Sequence, residues 1–310
     1  MAELRAVLAQ ALIEEMHKNE NIVVIDADLA KANGTMNIRK EFPERAFDVG
    51  IAEQNMASMA AGMSSYGFIP FIGSFTPFAT RRICDQIAIS IAYAKQNVKI
   101  IGSDPGITAE LNGGTHMSVE DIGVLRSIPN IVIFEPVDCV QMKKALPQIV
   151  EHYGPVYIRM FRKVIPDVFD ENTYEFDLFK ADTIKEGSDV SIFASGIMVQ
   201  EALKANEMLK EKGINAEIIN IHTIKPIDAD AVLKSVAKTG CAVVCENHNL
   251  LGGLASAVCE VTATNNPVPV EMIGIKDHFG EVAKTPYLLN KYEMTAEHIV
   301  AACEKVIKRK

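Results

Sequence analysis

Glu53 heads the run "EQNMASMAAGMSS", whose other side chains are small, apolar or uncharged. A lone carboxylate in that place has two readings. Facing water in a first helical turn, it complements the positive end of the helix dipole, and Asp48 and Gly50 just before it make an ordinary helix entry. Buried, it costs several kcal/mol unless it is partnered, so it would be kept there for its chemistry. His116 lies in the Gly-rich stretch "NGGTH". Imidazole moves protons near neutral pH, although a histidine on a loop is often simply solvated. Asn112, at the start of that stretch, offers an uncharged amide that both donates and accepts. Arg162 ends the run "PVYIRMFR". Its planar fork suits an oxyanion, with Arg159 on the same strand as a competitor and a solvated linker arginine as the plain alternative. Phe75 and Phe78 flank a turn before a helix, where an aromatic is either core or a flat platform. Asp28, in "DADLAK", fits a helix N-cap.

These residues need elements to hold them. β-rich runs recur at 21–28, 68–75, 97–103, 130–136 and 155–161, and helical patterns fill 3–18, 52–65, 77–94, 119–127 and 138–151. Such alternation predicts a mainly parallel sheet with helices on both faces, and the candidate residues gather near strand ends, where open α/β sheets place their ligands. A polar, Pro-containing stretch at 163–189 breaks the pattern. A second block then repeats it: strand "DVSIFAS", helix, strand "NAEIINI", helix, strand "CAVVCEN", a Gly-Gly turn into a helix, strand "VPVEMIGI", and a last helix from near Thr295. The expected organisation is α/β, with two α/β/α domains built on parallel sheets at 1–165 and 188–310, joined by a linker at 166–187. The turn with Glu246, His248, Gly252 and Gly253 could be an anion site or a close strand–helix packing turn. His222 reads as structural.

Composition narrows the classes. A net charge of −9 argues against a general binder of nucleic acid or anionic membranes. No apolar run reaches the roughly 18 residues of a membrane span, and the N-terminus reads as an acidic amphipathic helix rather than a secretory signal. The six cysteines contain no CxxC pair and read as buried thiols of a reducing compartment. The expectation is a cytoplasmic protein.

Four ordered segments resemble one family. "DVGIAEQNM" is similar to the "GI-x-E" segment of transketolases and deoxyxylulose-phosphate synthases. "GFIPFIGSFTPFATRRICDQI" resembles the strand and helix that carry aromatics in that family. "NGGTHMSVEDIGVLRSIPNIVIFEPVD" resembles its "DG-x-TH" loop with "LR-x-x-PN" and "P-x-D", and "GPVYIRMFRK" its strand ending in a phosphate-contacting arginine. "TIKPID" and "GG-x-x-S" in the second block extend the resemblance to the C-terminal domain of transketolases.

The resemblance implies thiamine diphosphate as cofactor and roles for these residues. Glu53 would hydrogen-bond a nitrogen of the aminopyrimidine ring and shift the ring's amine toward its imino form, which removes the thiazolium proton. Phe75 and Phe78 would pack against the ring, with Asp28 an acid near the cofactor. His116 would reach the reacting ketose, and Arg162 its phosphate. Asn112 stands where the family has an acid that contacts a substrate hydroxyl. Asp104 stands where transketolases often carry a histidine that helps hold the acceptor phosphate. Both departures question an ordinary pentose-phosphate substrate. The family's "GDG" signature, which holds Mg²⁺ and the diphosphate, is not in this sequence. The chain therefore resembles the C-terminal half of a split transketolase, with no metal site of its own. An N-terminal subunit would bring the metal and the diphosphate domain, in a two-plus-two assembly that moves a two-carbon ketol unit from a ketose, by default a sugar phosphate, to an aldose. The alternatives are the beta chain of a 2-oxoacid dehydrogenase, half of a deoxyxylulose-phosphate synthase, or a non-catalytic scaffold.

Overall fold

A computed structural model describes residues 2–310. The chain forms two compact units, one from the chain up to Pro105 with Val124–Leu178, the other from Gly106–Gly123 with Phe179–Lys310.

In the first unit the strands are β1 (Ile22–Asp26), β2 (Ala46–Asp48), β3 (Ile69–Phe75), β4 (Lys99–Ser103), β5 (Val132–Phe134) and β6 (Val156–Met160). They run in the order β5-β6-β4-β3-β1-β2, and every pairing is parallel. β1, β4, β5 and β6 are buried along their whole length, as expected for parallel strands covered on both faces. The helix Leu4–Lys18 buries Leu4, Leu8, Leu12 and Met16, one face at helical spacing. These join Met142, Leu146 and Ile149 of the helix Cys139–Glu151 in one core. Asp138 starts that second helix by accepting from Gln141 N–H at 2.7 Å.

In the second unit β7 (Asp182–Lys185), β8 (Val190–Ala194), β9 (Ala216–Asn220), β11 (Ala242–Asn249) and β12 (Val270–Ile275) form a sheet ordered β12-β11-β8-β9-β7, and β10 (Thr223–Lys225) follows β9 in the chain. Only β7 is antiparallel, on β9. The architecture is thus the expected α/β, with two mostly parallel sheets flanked by helices.

The structure departs from the sequence reading in places. β7 lies inside the stretch expected to be a linker; its alternating burial is that of an edge strand, which a polar run conceals. The single helix expected at 77–94 is three pieces: α-helical Thr76–Ala79, 3-10 Arg81–Ile83 and π-helical Gln86–Tyr93. Thr80, at φ −131° and ψ −83°, breaks the helix, and its hydroxyl donates to Thr76 C=O at 2.7 Å. Irregular helical turns of this sort are frequent at functional sites.

Candidate functional site

The helix Glu53–Ser65 buries Glu53, Met56, Ala57, Ala60, Ala61 and Ser64. Those positions form one stripe at helical spacing, and Glu53 is its first member. The carboxylate is therefore on the packed face, 4% exposed. Its charge is balanced by Arg82, whose Nη1 donates to Glu53 Oε1 at 2.7 Å. Among the described residues no hydrogen bond reaches Oε2.

Arg82 extends the group to the aromatics. Its guanidinium carbon lies 4.0 Å from the centre of the Phe78 ring, a cation–π contact. Phe78 meets Phe75 edge to face at 6.5 Å, and the Arg162 guanidinium lies 5.1 Å from the Phe75 ring centre. Arg162 Nε forms an ion pair with Asp104 Oδ2. The backbone N–H of Arg162 also donates to Asp104 Oδ1 at 3.3 Å. Glu53, Arg82, Phe78, Phe75, Arg162 and Asp104 thus make one continuous chain of contacts within the first unit. Asp104 follows β4 in the left-handed region at φ 54°, which aspartate tolerates better than most residues. Arg159, the competitor of Arg162, is fully buried and paired with Glu135 at 2.5 Å; it braces the sheet, whereas Arg162 keeps 18% of its side chain exposed.

Asp28 has an exposed side chain, at φ 59°. It does not cap a helix: the helix Ala30–Asn33 starts after Leu29 and has no side-chain cap. The backbone N–H of Asp28 instead donates to Asp48 Oδ1 at 3.0 Å. Two residues earlier, Asp26 is the buried acid of the "DAD" run, 3% exposed at the end of β1. Thr35 Oγ1 donates to its Oδ2 at 2.7 Å and Asn33 Nδ2 to its Oδ1 at 3.4 Å. Gly73, opposite on β3, leaves room for Asn33: a Cβ there would stand 2.9 Å from the amide nitrogen. Sequence reasoning named Asp28 and did not single out Asp26, whose burial was signalled by its place at the end of an otherwise apolar strand run.

Burial raises the Asp26 pKa from 3.8 to about 6, against the opposing hydrogen bonds from Thr35 and Asn33. The folded protein therefore holds this proton to higher pH than the unfolded chain does. The stabilisation from that proton is complete below pH 3.8 and is lost as pH rises through about 6. Asn is expected to remove this dependence, worth about 3 kcal/mol across the window, because the Thr35 hydroxyl can turn to Ala30 C=O, 3.3 Å away. Denaturant unfolding at pH 4.5 and pH 7.5 checks it: Asp26→Asn is stabilising relative to wild type at the higher pH, and the difference shrinks at the lower.

His116 and Asn112 belong to the second unit. Asn112 ends the 3-10 stretch Gly106–Asn112 and is exposed. His116 is half-buried, with Nδ1 2.9 Å from Thr115 Oγ1. Their loop is pinned at several points. Ile107 N–H donates to Asn247 Oδ1 at 2.9 Å, and Asn249 N–H to Val119 C=O at 2.8 Å. Glu110 Oε1 accepts from Thr285 Oγ1 at 2.6 Å. Gly106, at φ +53°, has no room for a side chain: a Cβ would come within 2.2 Å of Asn247 Oδ1.

The Gly-Gly turn of the second unit is a packing turn. Glu246 accepts from Leu254 N–H at 2.6 Å and from Ala255 N–H at 3.0 Å, so a protein carboxylate already occupies that helix start. A Cβ on Gly253 would stand 1.9 Å from Glu246 Oε2. His222 is also structural, with Nε2 2.7 Å from Lys180 C=O.

Among the described residues no helix is long and apolar enough to cross a membrane. Residues 1–167 match the model of the transketolase pyrimidine-binding domain, and residues 179–299 that of the transketolase C-terminal domain. A 6-deoxy-6-sulfo-D-fructose transketolase subunit of Clostridium sp. (strain MSTE9) is 51% identical, over 99% of this chain and 95% of that protein. An apulose-4-phosphate transketolase subunit of Phocaeicola vulgatus is 34% identical, over 100% of this chain and 99% of the relative. A solved structure described as a split gene transketolase, inactive beta4 tetramer, superposes with a TM-score of 0.92 at 41% identity, covering 99% of both chains. The chain belongs to the transketolase family and is a subunit of the split type, carrying the pyrimidine-binding and C-terminal domains.

Proposed function

We propose that this chain is the pyrimidine-binding half of a thiamine-diphosphate-dependent transketolase, active with a second subunit that carries Mg²⁺ and the diphosphate domain. The observation that carries the reading is Glu53: a buried carboxylate with one oxygen on Arg82 and the other without a hydrogen bond, joined through Arg82 to Phe78 and through Phe78 to Phe75. An open carboxylate oxygen suits an N–H of a flat, electron-poor ring, and aromatic side chains suit its faces. When bound, the cofactor supplies a carbon nucleophile that accepts the two-carbon ketol unit. Glu53 holds or receives the ring proton, Phe75 and Phe78 limit water, and Asp28 faces solvent just past the C-terminal end of β1, the strand paired with the one that ends in Phe75. His116 moves protons at the sugar hydroxyls, and Asn112 bonds one without bringing charge. Two copies of this chain with two of the partner follow from the division of parts. Combining this chain with the diphosphate-domain subunit, thiamine diphosphate, Mg²⁺, a ketose labelled with ¹³C at C1 and C2, and an aldose tests it. Transfer of the label is expected. If the mixture binds no cofactor and moves no label, the reading fails.

The substrate's far end carries an anion that meets Arg162. The relatives point to two such groups, a sulfo sugar for one and a sugar phosphate for the other. Asp104 cancels the Arg162 charge, which suits a singly charged tail better than a phosphate dianion. Asp104→Asn keeps the oxygen that accepts from Arg162 N–H and frees the guanidinium charge. It is expected to raise kcat/KM for a phosphorylated ketose about tenfold relative to its sulfonate analogue, a difference of about 1.4 kcal/mol. Paired initial-rate measurements on the two sugars check this.

A further inference from the structure

Arg82 has no role in the proposed function beyond balancing a charge, yet its backbone and side chain are set by several independent features. The helix break at Thr80 and the 3-10 turn Arg81–Ile83 place it across from the start of the helix Glu53–Ser65. Gln54 Nε2 donates to its carbonyl at 3.4 Å. Phe78 supports one face of the guanidinium at 4.0 Å. Of the five donors on that fork, Nη1 reaches Glu53 Oε1 at 2.7 Å. The pair is asymmetric: the Arg82 side chain is 42% exposed and the Glu53 side chain 4%. An exposed ion pair contributes little, but here one partner is buried and leans on the other for compensation.

We propose that Arg82 is a positioning residue that fixes the rotation of the Glu53 carboxylate, holding Oε1 so that Oε2 is presented to the pyrimidine ring nitrogen of thiamine diphosphate. This rests on the cofactor reading of Glu53 given above. A carboxylate on a flexible side chain can offer either oxygen over a range of angles, and a hydrogen bond to a ring nitrogen needs one oxygen in the ring plane. Tying the first oxygen to a guanidinium that is itself stacked on Phe78 removes that freedom before the cofactor arrives, so less ordering remains on binding. The planar fork matters as well as the charge, because an ammonium group neither stacks in the same way nor fixes a direction.

The test compares two ligands on three proteins, each assembled with the diphosphate-domain subunit and Mg²⁺. The ligands are thiamine diphosphate and the analogue with C–H in place of the ring nitrogen that faces Glu53. The proteins are wild type, Arg82→Gln and Arg82→Lys, with affinities measured by calorimetric titration and no turnover required. Wild type is expected to prefer thiamine diphosphate by about ten- to a hundredfold, the worth of one hydrogen bond to a charged group. In Arg82→Gln the preference is expected to fall to about threefold or less, and Arg82→Lys, which keeps the charge without the fork, should recover part of it. If Arg82→Gln weakens both ligands and keeps the wild-type preference, Arg82 is merely structural and the inference is overturned. If wild type itself shows no preference, the contact between Glu53 and the ring falls, and the inference with it.

Discussion

Glu53→Gln in the assembled enzyme is expected to lower kcat by at least about a hundredfold, the usual worth of a positioned proton-handling group. The substitution is conservative in shape. The amide oxygen can still accept from Arg82 at the Oε1 position, so the contact with the fork and with Phe78 behind it survives. What changes is the second atom: a carboxylate oxygen becomes an NH₂ group that donates where an acceptor is needed. Initial rates, with sedimentation of the same preparations to show that assembly is intact, measure the effect. Activity within a fewfold of wild type would sink the proposed mechanism, because no other described carboxylate is buried with one oxygen on Arg82 and the other without a hydrogen bond.

The largest stability effect is expected at the pair Arg159–Glu135. Arg159 lies on β6, fully buried, and Glu135 directly follows β5; both side chains are inaccessible or nearly so. Glu135→Ala would leave a guanidinium without its carboxylate inside the sheet layer. Removing one member of a buried pair typically destabilises by about 3–5 kcal/mol, whereas replacing both by apolar residues is far milder. Denaturant titration of Glu135→Ala against the double variant Glu135→Leu/Arg159→Met separates the two cases. The single variant should unfold at clearly lower denaturant. Equal midpoints would mean that water or other groups compensate Arg159, and that the pair does not brace the sheet.

The regular elements were legible where hydrophobic periodicity was strong. β1, β4 and β6 are short runs buried end to end, and the helices Cys139–Glu151 and Ala229–Thr239 show their stripes in the sequence. Three short elements outside the strongly apolar runs were not legible. β2, β10 and the helix Thr285–Lys291 span few residues, and their existence depends on neighbours distant in the chain. The break at Thr80 was hidden because apolar residues continue past it; only backbone geometry reveals that the helix changes type. For the candidate site, residue types pointed to Glu53, Phe75, Phe78 and Arg162, but not to their arrangement. Arg82 and Glu53 are 29 positions apart, and Asp104 and Arg162 are 58 apart, so neither pair follows from spacing. The resemblance made Asp104 a departure at the acceptor-phosphate position; the structure makes it first of all the counterion of Arg162.

The path of the chain through Gly106–Gly123 has a consequence for how such a protein can be recombined. That stretch leaves one unit and returns to it eighteen residues later, having packed in between on Asn247, Asn249 and Thr285 of the other. The two modules are therefore interleaved along the sequence, and no single crossover point exchanges one cleanly for the other. A chimaera cut anywhere in 166–187 would graft a foreign C-terminal module onto a loop shaped for the original one. His116 and Asn112, carried on that loop, are thus inherited by sequence with one module and held in place by the other, which ties whatever part of sugar preference they set to the half of the chain that carries none of the proposed cofactor residues.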